Sequence, residues 1–257
     1  MLKIHVDAAN TKKANEYAKR IAECFDISSR EEAEIIVVLG GDGFMLDALH
    51  RGSNLNLPFY GIHCGTVGFL MNAISLDNIP SLMERLEKAT ITKLNPLKMT
   101  VVQKDGKETV LHAINEVTLQ RQTYQACKLS VAINGKIRLE KLIGDGIIVS
   151  TAAGSTAYNF SANGPIIPLG IPLLALTPLN PFQPKHWRGA IIPNTAHLTI
   201  EVIDAENRSV EATADNIIIK DVIRASIQEN PFLELHILFD PDHNLEERIL
   251  IEQFFQH

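Results

Sequence analysis

The residues in this chain best placed to do chemistry are Gly40-Gly41-Asp42-Gly43, which follow directly on the apolar run Ile35-Ile36-Val37-Val38-Leu39. The run reads as a buried strand and the glycines as the turn that ends it. Glycines let a backbone come close to a ligand and turn its amides toward an anion, and a helix expected from Phe44 onward adds the positive end of its dipole. The result is a phosphate site with a carboxylate in it. A carboxylate opposes a phosphate, so Asp42 makes sense if it binds a metal, takes a hydroxyl proton or holds a sugar hydroxyl. Taken alone, the motif also fits an ordinary strand-to-helix turn with Asp near the N-cap.

Two further constellations carry polar groups at the right kind of place. In Ile114-Asn115-Glu116-Val117 an amide and a carboxylate interrupt an alternating strand. Asn donates and accepts, and Glu accepts from paired hydroxyls, so the pair suits a ribose or an adenine edge. The stretch Gly144-Asp145-Gly146-Ile147-Ile148-Val149-Ser150-Thr151-Ala152-Ala153-Gly154-Ser155-Thr156-Ala157-Tyr158 repeats the plan of glycine-flanked acid, apolar strand and small-residue loop. Small residues permit close contact with a flat ring and its sugar, while the hydroxyls and amides suit phosphate or hydroxyl groups. No GxSxG supports a serine nucleophile. Gly135-Lys136 is followed by Ile137 and lacks the earlier glycine of a P-loop, and GxGxxG is absent. Phosphoryl chemistry here needs another scaffold.

The elements that must position these groups fall into two styles. The first part alternates strands and helices, predicting an α/β domain with a mainly parallel sheet over residues 1–97. Leu2 to Val6 is the first strand, and Thr11 to Phe25 a helix with Ala14, Tyr17, Ala18, Ile21, Ala22 and Phe25 on one face. Ile35 to Leu39, a helix over Phe44 to Leu49 and a strand at Phe59 to Ile62 follow. A second glycine turn, Cys64-Gly65-Thr66-Val67-Gly68-Phe69-Leu70, stands at the same end of its strand as Asp42. Ser75 is placed to cap a helix through Leu82, Leu86 and Ala89. From Lys98 the chain turns β-rich, with hairpin signals at Asp105-Gly106 and Asn134-Gly135 and strands continuing through His197–Val202 and Ile217–Ile219, giving a second domain over 98–240. Pro165 to Pro193 reads as an ordered loop lining a cleft, with neither helix nor central strand. Asn244 to Phe255 is expected to be a C-terminal helix, within 241–257, packing back on the first domain.

Composition bounds the partners. Of 257 residues 46% are apolar and 21% charged, the profile of an ordinary globular protein. The net charge of -6, without a basic run, argues against nucleic acid. No apolar segment is long enough to span a bilayer, and the start of the chain predicts a strand, not a signal peptide, so no membrane partner and a cytoplasmic location are expected. Cys24, Cys64 and Cys127 are too few and too far apart for a disulfide framework or a zinc site, and the nine histidines include no HExxH, so no protein-made metal site is expected.

The three acid-bearing motifs, in this order and at these separations, resemble the NAD kinase family along almost the whole chain. Gly65 to Leu70, Ser161-Ala162-Asn163-Gly164-Pro165 and Lys185-His186-Trp187-Arg188 add to the resemblance. It implies an α/β domain, a β-rich domain and a substrate cleft between them. It also implies transfer of the γ-phosphoryl of ATP, with Mg²⁺ or another divalent cation, to the 2'-hydroxyl of the adenosine ribose of NAD. Asp42 would then be the catalytic general base or an organiser of metal and hydroxyl, with Gly43 beside the substrate. Asn115 and Glu116 match the adenosine-contacting pair, and Asp145 the acid that meets the nicotinamide side, often across a subunit boundary. Thr156, Ala157, Tyr158 and Ser161 match the segment packed against rings and sugar, Phe69 sits beside the adenine, and Ala153 and Asn180 are placed by position. A homodimer or homotetramer is implied.

The chain departs from the family pattern at Ile143, where arginine is frequent, at Phe44, where threonine is common, and at Ala152-Ala153 in place of proline-threonine. Two rival readings share some of the features. A lipid kinase of the diacylglycerol or sphingosine type would share the glycine-flanked aspartate, but nothing here is built for a membrane surface. A non-catalytic NAD(P) sensor would have little use for a carboxylate beside phosphates.

Overall fold

The computed structural model describes residues 2–65 and 68–241, and the chain divides into two compact units, residues 1–94 with 233–257 and residues 95–232. The helix expected over Asn244 to Phe255 lies outside the described residues, as do Thr66 and Val67 of the second glycine turn.

The first unit is a sheet whose strands run, in spatial order, Ile4–Ala8, Ile35–Gly40, Pro58–His63, Leu235–Phe239 and Thr90–Leu94. Neighbours pair in parallel except the last two, which are antiparallel. All six residues of Ile35–Gly40 are buried, which is why that strand reads as an unbroken apolar run and not an alternation. The helix Lys12–Cys24 is capped by Thr11, whose hydroxyl accepts from the Ala14 amide at 3.2 Å. It buries Ala14, Tyr17 and Ile21 in one cluster with Ile4, Val37 and Leu39.

Two local expectations need correction. The helix after the first glycine turn spans Asp42–Arg51, starting two residues before Phe44, because Gly41 is extended and takes the N-cap position. Asp42 therefore stands in the first helical turn, where the helix dipole favours negative charge. The single helix expected behind Ser75 is instead a 3₁₀ segment, Leu76–Ser81, followed by an α-helix, Leu82–Lys88. Pro80 has no N–H to carry a continuous ladder through that point, and the Ser75 side chain makes no capping bond.

The strand Leu235–Phe239 brings the chain back to the first unit at Leu233, ahead of the 241 boundary read from composition. Its end is fixed from the interior. The Tyr60 hydroxyl donates to Asp240 Oδ1 at 2.8 Å, Arg85 pairs with Oδ2, and the Asp240 amide donates to Asn72 Oδ1 at 3.0 Å. Asn72, fully buried, uses its own NH₂ on the Gly61 and Leu238 carbonyls.

The second unit holds two six-stranded antiparallel sheets. One runs Ala190–Pro193, Leu173–Leu179, Gly146–Ser150, Glu116–Arg121, Val210–Ala214, Ile217–Ile219. The other runs Glu108–Ala113, Leu97–Gln103, Val222–Glu229, Leu198–Val202, Cys127–Ile133, Lys136–Gly144. Leu97, Met99 and Val101 of one sheet share a buried cluster with Val117, Leu119, Ile147 and Val149 of the other, so the faces pack as a sandwich. Asn134 and Gly135 both take positive φ, 51° and 74°, and form the two-residue hairpin their types demand. At Asp105-Gly106 the connection is longer, running from Gln103 to Glu108.

The proline-rich stretch is not loop throughout. Leu173–Leu179 is an inner strand, with Pro178 opposite Ile147. Its outer partner covers only Leu173 to Leu176, so beyond that point the strand has a free side. The Leu179 carbonyl accepts from Asp145, which turns the neighbouring Pro178 nitrogen to that free side, where its missing N–H breaks no ladder. No helix is long and apolar enough to cross a membrane among the described residues.

Candidate active site

In the first unit Asp42 ties the two glycine turns together. Its Oδ2 accepts from the Phe69 amide at 2.7 Å and its Oδ1 from the Leu70 amide at 3.1 Å. Each carboxylate oxygen keeps lone-pair capacity for one further partner. The glycines around it divide by role. A Cβ on Gly68 would meet Asp42 Oδ1 at 2.1 Å, and one on Gly40 would meet Phe44 Cβ at 2.9 Å, so the fold itself needs both. A Cβ on Gly41, Gly43 or Gly65 would meet nothing within 4 Å, which leaves the backbone at those residues open to close approach. Phe69 is half-buried and reaches Asp42 through its backbone. Phe44 lies under the Arg51 guanidinium, 5.4 Å from ring centroid to Cζ.

In the second unit the Asn115–Glu116 backbone is clamped from two sides. Asp215 accepts from the amides of Ile114 (2.7 Å), Asn115 (3.0 Å) and Glu116 (3.3 Å), and its own amide donates to the Glu116 carbonyl at 3.1 Å. Opposite, Thr151 donates from its amide to the Asn115 carbonyl at 2.9 Å and from its hydroxyl to the Ile114 carbonyl at 2.7 Å. Gly154 lies flat on this backbone, since a Cβ there would sit 2.3 Å from the Asn115 oxygen. The side chains are left with unused capacity. Asn115 Oδ1 and Glu116 Oε2 are buried and accept from no protein group among the described residues. Such atoms are paid for only when water or a ligand meets them. Burial, and secondarily the Asp215 charge, pushes the Glu116 carboxyl up to about 7.

The loop after Gly146–Ser150 is held by its own hydroxyls. Ser155 Oγ donates to the Ala152 carbonyl at 2.7 Å and accepts from the Ile167 amide at 2.9 Å, which engages it inside the fold and not as a nucleophile. Buried Asn159 bridges the Ser155 and Pro165 carbonyls and accepts from Thr177. Ala153 is buried, Thr156 and Ala157 are half-buried, and Tyr158 and Ser161 are exposed at the ends of the short helix Tyr158–Ser161.

Asp145 sits between two donors. Arg121 Nε donates to Oδ1 at 2.6 Å and Asn180 Nδ2 to Oδ2 at 2.8 Å. The Asn180 amide, then the Arg121 guanidinium, hold the Asp145 carboxyl below the usual range against some burial. These residues line a cleft of about 460 Å³ with Gln120, Tyr158 and Leu179. Tyr158, Leu179 and Asn180 also line a smaller one of about 260 Å³, together with Ser161, Trp187 and Arg188. The structure thus groups Asp145, Tyr158, Ser161 and Asn180 around adjoining clefts, while Asn115 and Glu116 line neither. His186 is exposed and lines neither cleft.

Residues 3–91 match the ATP-NAD kinase N-terminal domain and residues 114–220 match the ATP-NAD kinase C-terminal domain. The chain belongs to the ATP-NAD kinase family. Relatives in this family include the NAD kinase of Hyphomonas neptunium, 45% identical over 98% of each chain, and that of Cereibacter sphaeroides, 50% identical over 87% of each. The fold is that of yeast NADH kinase complexed with NADH, with a TM-score of 0.81 at 20% identity over 99% of this chain and 87% of that one. An NAD kinase from Archaeoglobus fulgidus in complex with ATP superimposes with a TM-score of 0.79 at 19% identity, covering 99% of this chain and all of that one. The lipid-kinase and sensor readings draw no support from these likenesses.

In this NAD kinase family member Asp145 takes its cationic partner from Arg121 at the end of the strand paired with Gly146–Ser150. Neither Arg121 nor Asp215 stood out as a site residue in the sequence. Arg121 ends a strand like many surface arginines, and Asp215 reads as an ordinary hairpin residue ahead of Asn216. Only the strand register of Glu116–Arg121 with its two neighbours brings them to the motifs. Among the described residues no cluster of three or more His, Cys, Asp or Glu forms a metal cage.

Proposed function

We infer that this chain transfers the γ-phosphoryl group of ATP to the 2'-hydroxyl of the adenosine ribose of NAD, giving NADP and ADP. The observation that carries this reading is the match to both ATP-NAD kinase domains, continued along 98% of the chain by a relative named NAD kinase. Asn115 and Glu116 meet the adenosine, and their two unpartnered oxygens suit paired hydroxyls or an adenine edge. Asp145, held by Arg121 and Asn180, meets the nicotinamide side of the dinucleotide. Thr156, Ala157, Tyr158 and Ser161 pack on rings and sugar, Ala153 supports that loop from within, and Phe69 and Gly43 border the substrate.

Asp42 acts on the accepting hydroxyl. Anchored through both oxygens to the Phe69 and Leu70 amides, it is built to hold and orient, and it takes the proton late, as a loose phosphoryl-transfer transition state allows. Most of the rate then comes from positioning and charge neutralisation. Mg²⁺ needs only one or two carboxylates besides phosphate and water oxygens, so Asp42, with lone pairs to spare, would hold it as a single protein ligand, and the ion would supply neutralisation of the phosphate charge. The enzyme works in the cytoplasm as a homodimer or homotetramer, without nucleic acid or membrane, and light scattering reads its assembly.

The test is NADP formation from NAD, ATP and Mg²⁺ by the purified chain beside Asp42→Asn. NADP from the parent, with most turnover lost and NAD binding kept in the variant, supports the reading. A folded, NAD-binding parent that makes no NADP sinks the kinase assignment, and equal turnover in both sinks the role of Asp42.

A further inference from the structure

We propose that Asp215 is a positioning residue for NAD, its carboxylate fixing the backbone from which Asn115 and Glu116 present their side chains. The proposal rests on the reading that Asn115 and Glu116 contact NAD. Three consecutive amides, those of Ile114, Asn115 and Glu116, converge on this one carboxylate at 2.7, 3.0 and 3.3 Å. The residue stands at the hairpin between Val210–Ala214 and Ile217–Ile219 with a φ of 48°, a backbone state that Asp tolerates better than most residues. The Asp215 amide also donates to the Glu116 carbonyl, so hairpin and dipeptide are locked to each other.

The lock has a purpose beyond stability. With their backbone fixed by Asp215 on one side and by Thr151 and Gly154 on the other, Asn115 and Glu116 keep two buried, unpartnered oxygens. A ligand arriving there meets acceptors that need no reorganisation. The second consequence is electrostatic. The strand of Glu116 lies between Gly146–Ser150, where Ser150 is its partner, and Val210–Ala214, while the loop 151–154 packs on Asn115 beside it. Strand 146–150 and the loop carry no titratable residue, Glu211 lies opposite Gln120 at the far end of its pairing, and Asp215 is the charge that acts on Glu116. Burial is the first reason that Glu116 holds its proton, and the Asp215 charge adds to it.

The experiment compares the full-length protein with Asp215→Asn, measuring KM for NAD and kcat across neutral pH, and following the Glu116 carboxyl by carbon NMR on glutamate-labelled protein, its signal assigned by its loss in Glu116→Gln. For Asp215→Asn the expected result is a rise of about tenfold in KM for NAD with kcat changed less than about twofold. The Glu116 midpoint should move down with the neighbouring negative charge gone and stay above the ordinary glutamate value, because burial remains. An unchanged KM for NAD in folded Asp215→Asn overturns the proposal. If Asp215→Asn does not fold, Asp215→Glu, which keeps the charge and displaces the acceptor, decides: a rise in KM for NAD supports the proposal and a parental KM overturns it. Failure of the underlying reading shows separately, as a Glu116→Gln protein whose KM for NAD equals the parent's.

Discussion

Gly68 lies so close to the Asp42 carboxylate that a Cβ on it would stand 2.1 Å from Oδ1. The glycine of the second turn is thus shaped around the acid of the first. In Gly68→Ala the carboxylate must leave its place or the turn must shift, and either breaks the bonds to the Phe69 and Leu70 amides. The expected outcome is a fall in kcat of at least about tenfold, in keeping with the sensitivity of catalysis to small misplacements of a reacting group. Steady-state kinetics beside a thermal melt separates this from unfolding, and a folded variant with parental kcat would show that Asp42 does not depend on the turn.

Glu116 should make NAD binding and stability run in opposite directions with pH. Its folded midpoint of about 7 lies above the ordinary glutamate value of 4.5. Between those values the folded chain holds a proton that the unfolded chain has lost, so Glu116 contributes stability at acid pH that is lost as pH rises toward 7. Binding that uses the ionised carboxylate improves over the same interval. Glu116→Gln should flatten both trends, as read by chemical denaturation and by NAD titration from pH 5 to pH 8. A parental pH dependence in that variant would assign the midpoint to another group.

Arg121 supplies the guanidinium that pairs with Asp145 in a chain carrying Ile143. Replacing it by Gln removes the charge and keeps a donor. KM for NAD should rise about three- to tenfold, the scale of losing a half-exposed charge-assisted bond, with little change in kcat. A KM within error of the parent would mean that Asn180 alone holds Asp145.

The first unit should be sensitive at Tyr60, which is fully buried and donates to Asp240. Burial, then the bond to Asp240, pushes its phenol well above the usual range, so it donates at every working pH. Tyr60→Phe leaves a buried carboxylate oxygen short of one donor, although Arg85 still pairs with its neighbour oxygen. The expected loss is about 1–2 kcal/mol in urea unfolding, with NAD affinity unaffected. No loss would place Asp240 in water.

Much of this was legible from local chemistry. The strand Ile35–Gly40 announces itself because full burial leaves no polar position in it, and Asn134-Gly135 because both residues accept positive φ. Pro165 to Pro193 misleads for an equally physical reason: a proline forbids an inner strand only where its nitrogen would face a partner, and at Pro178 the partner has already ended. Leu235–Phe239 looks like any β-run, and which sheet it joins is settled by register with Pro58–His63.

The amino-acid sequence by itself determined the chemistry on offer: the acids flanked by glycine, the amide and carboxylate pair at 115 and 116, the small-residue loop, and the order that places the chain among ATP-NAD kinases. Residue type fixes hydrogen-bonding capacity and backbone freedom, and both can be read one position at a time. Tertiary structure alone decided who meets whom. Asp42 on the Phe69 and Leu70 amides, Arg121 on Asp145, and Asp215 under Ile114 to Glu116 join residues 24 to 101 positions apart. Such pairings depend on strand register and the twist of whole sheets, which no single segment encodes.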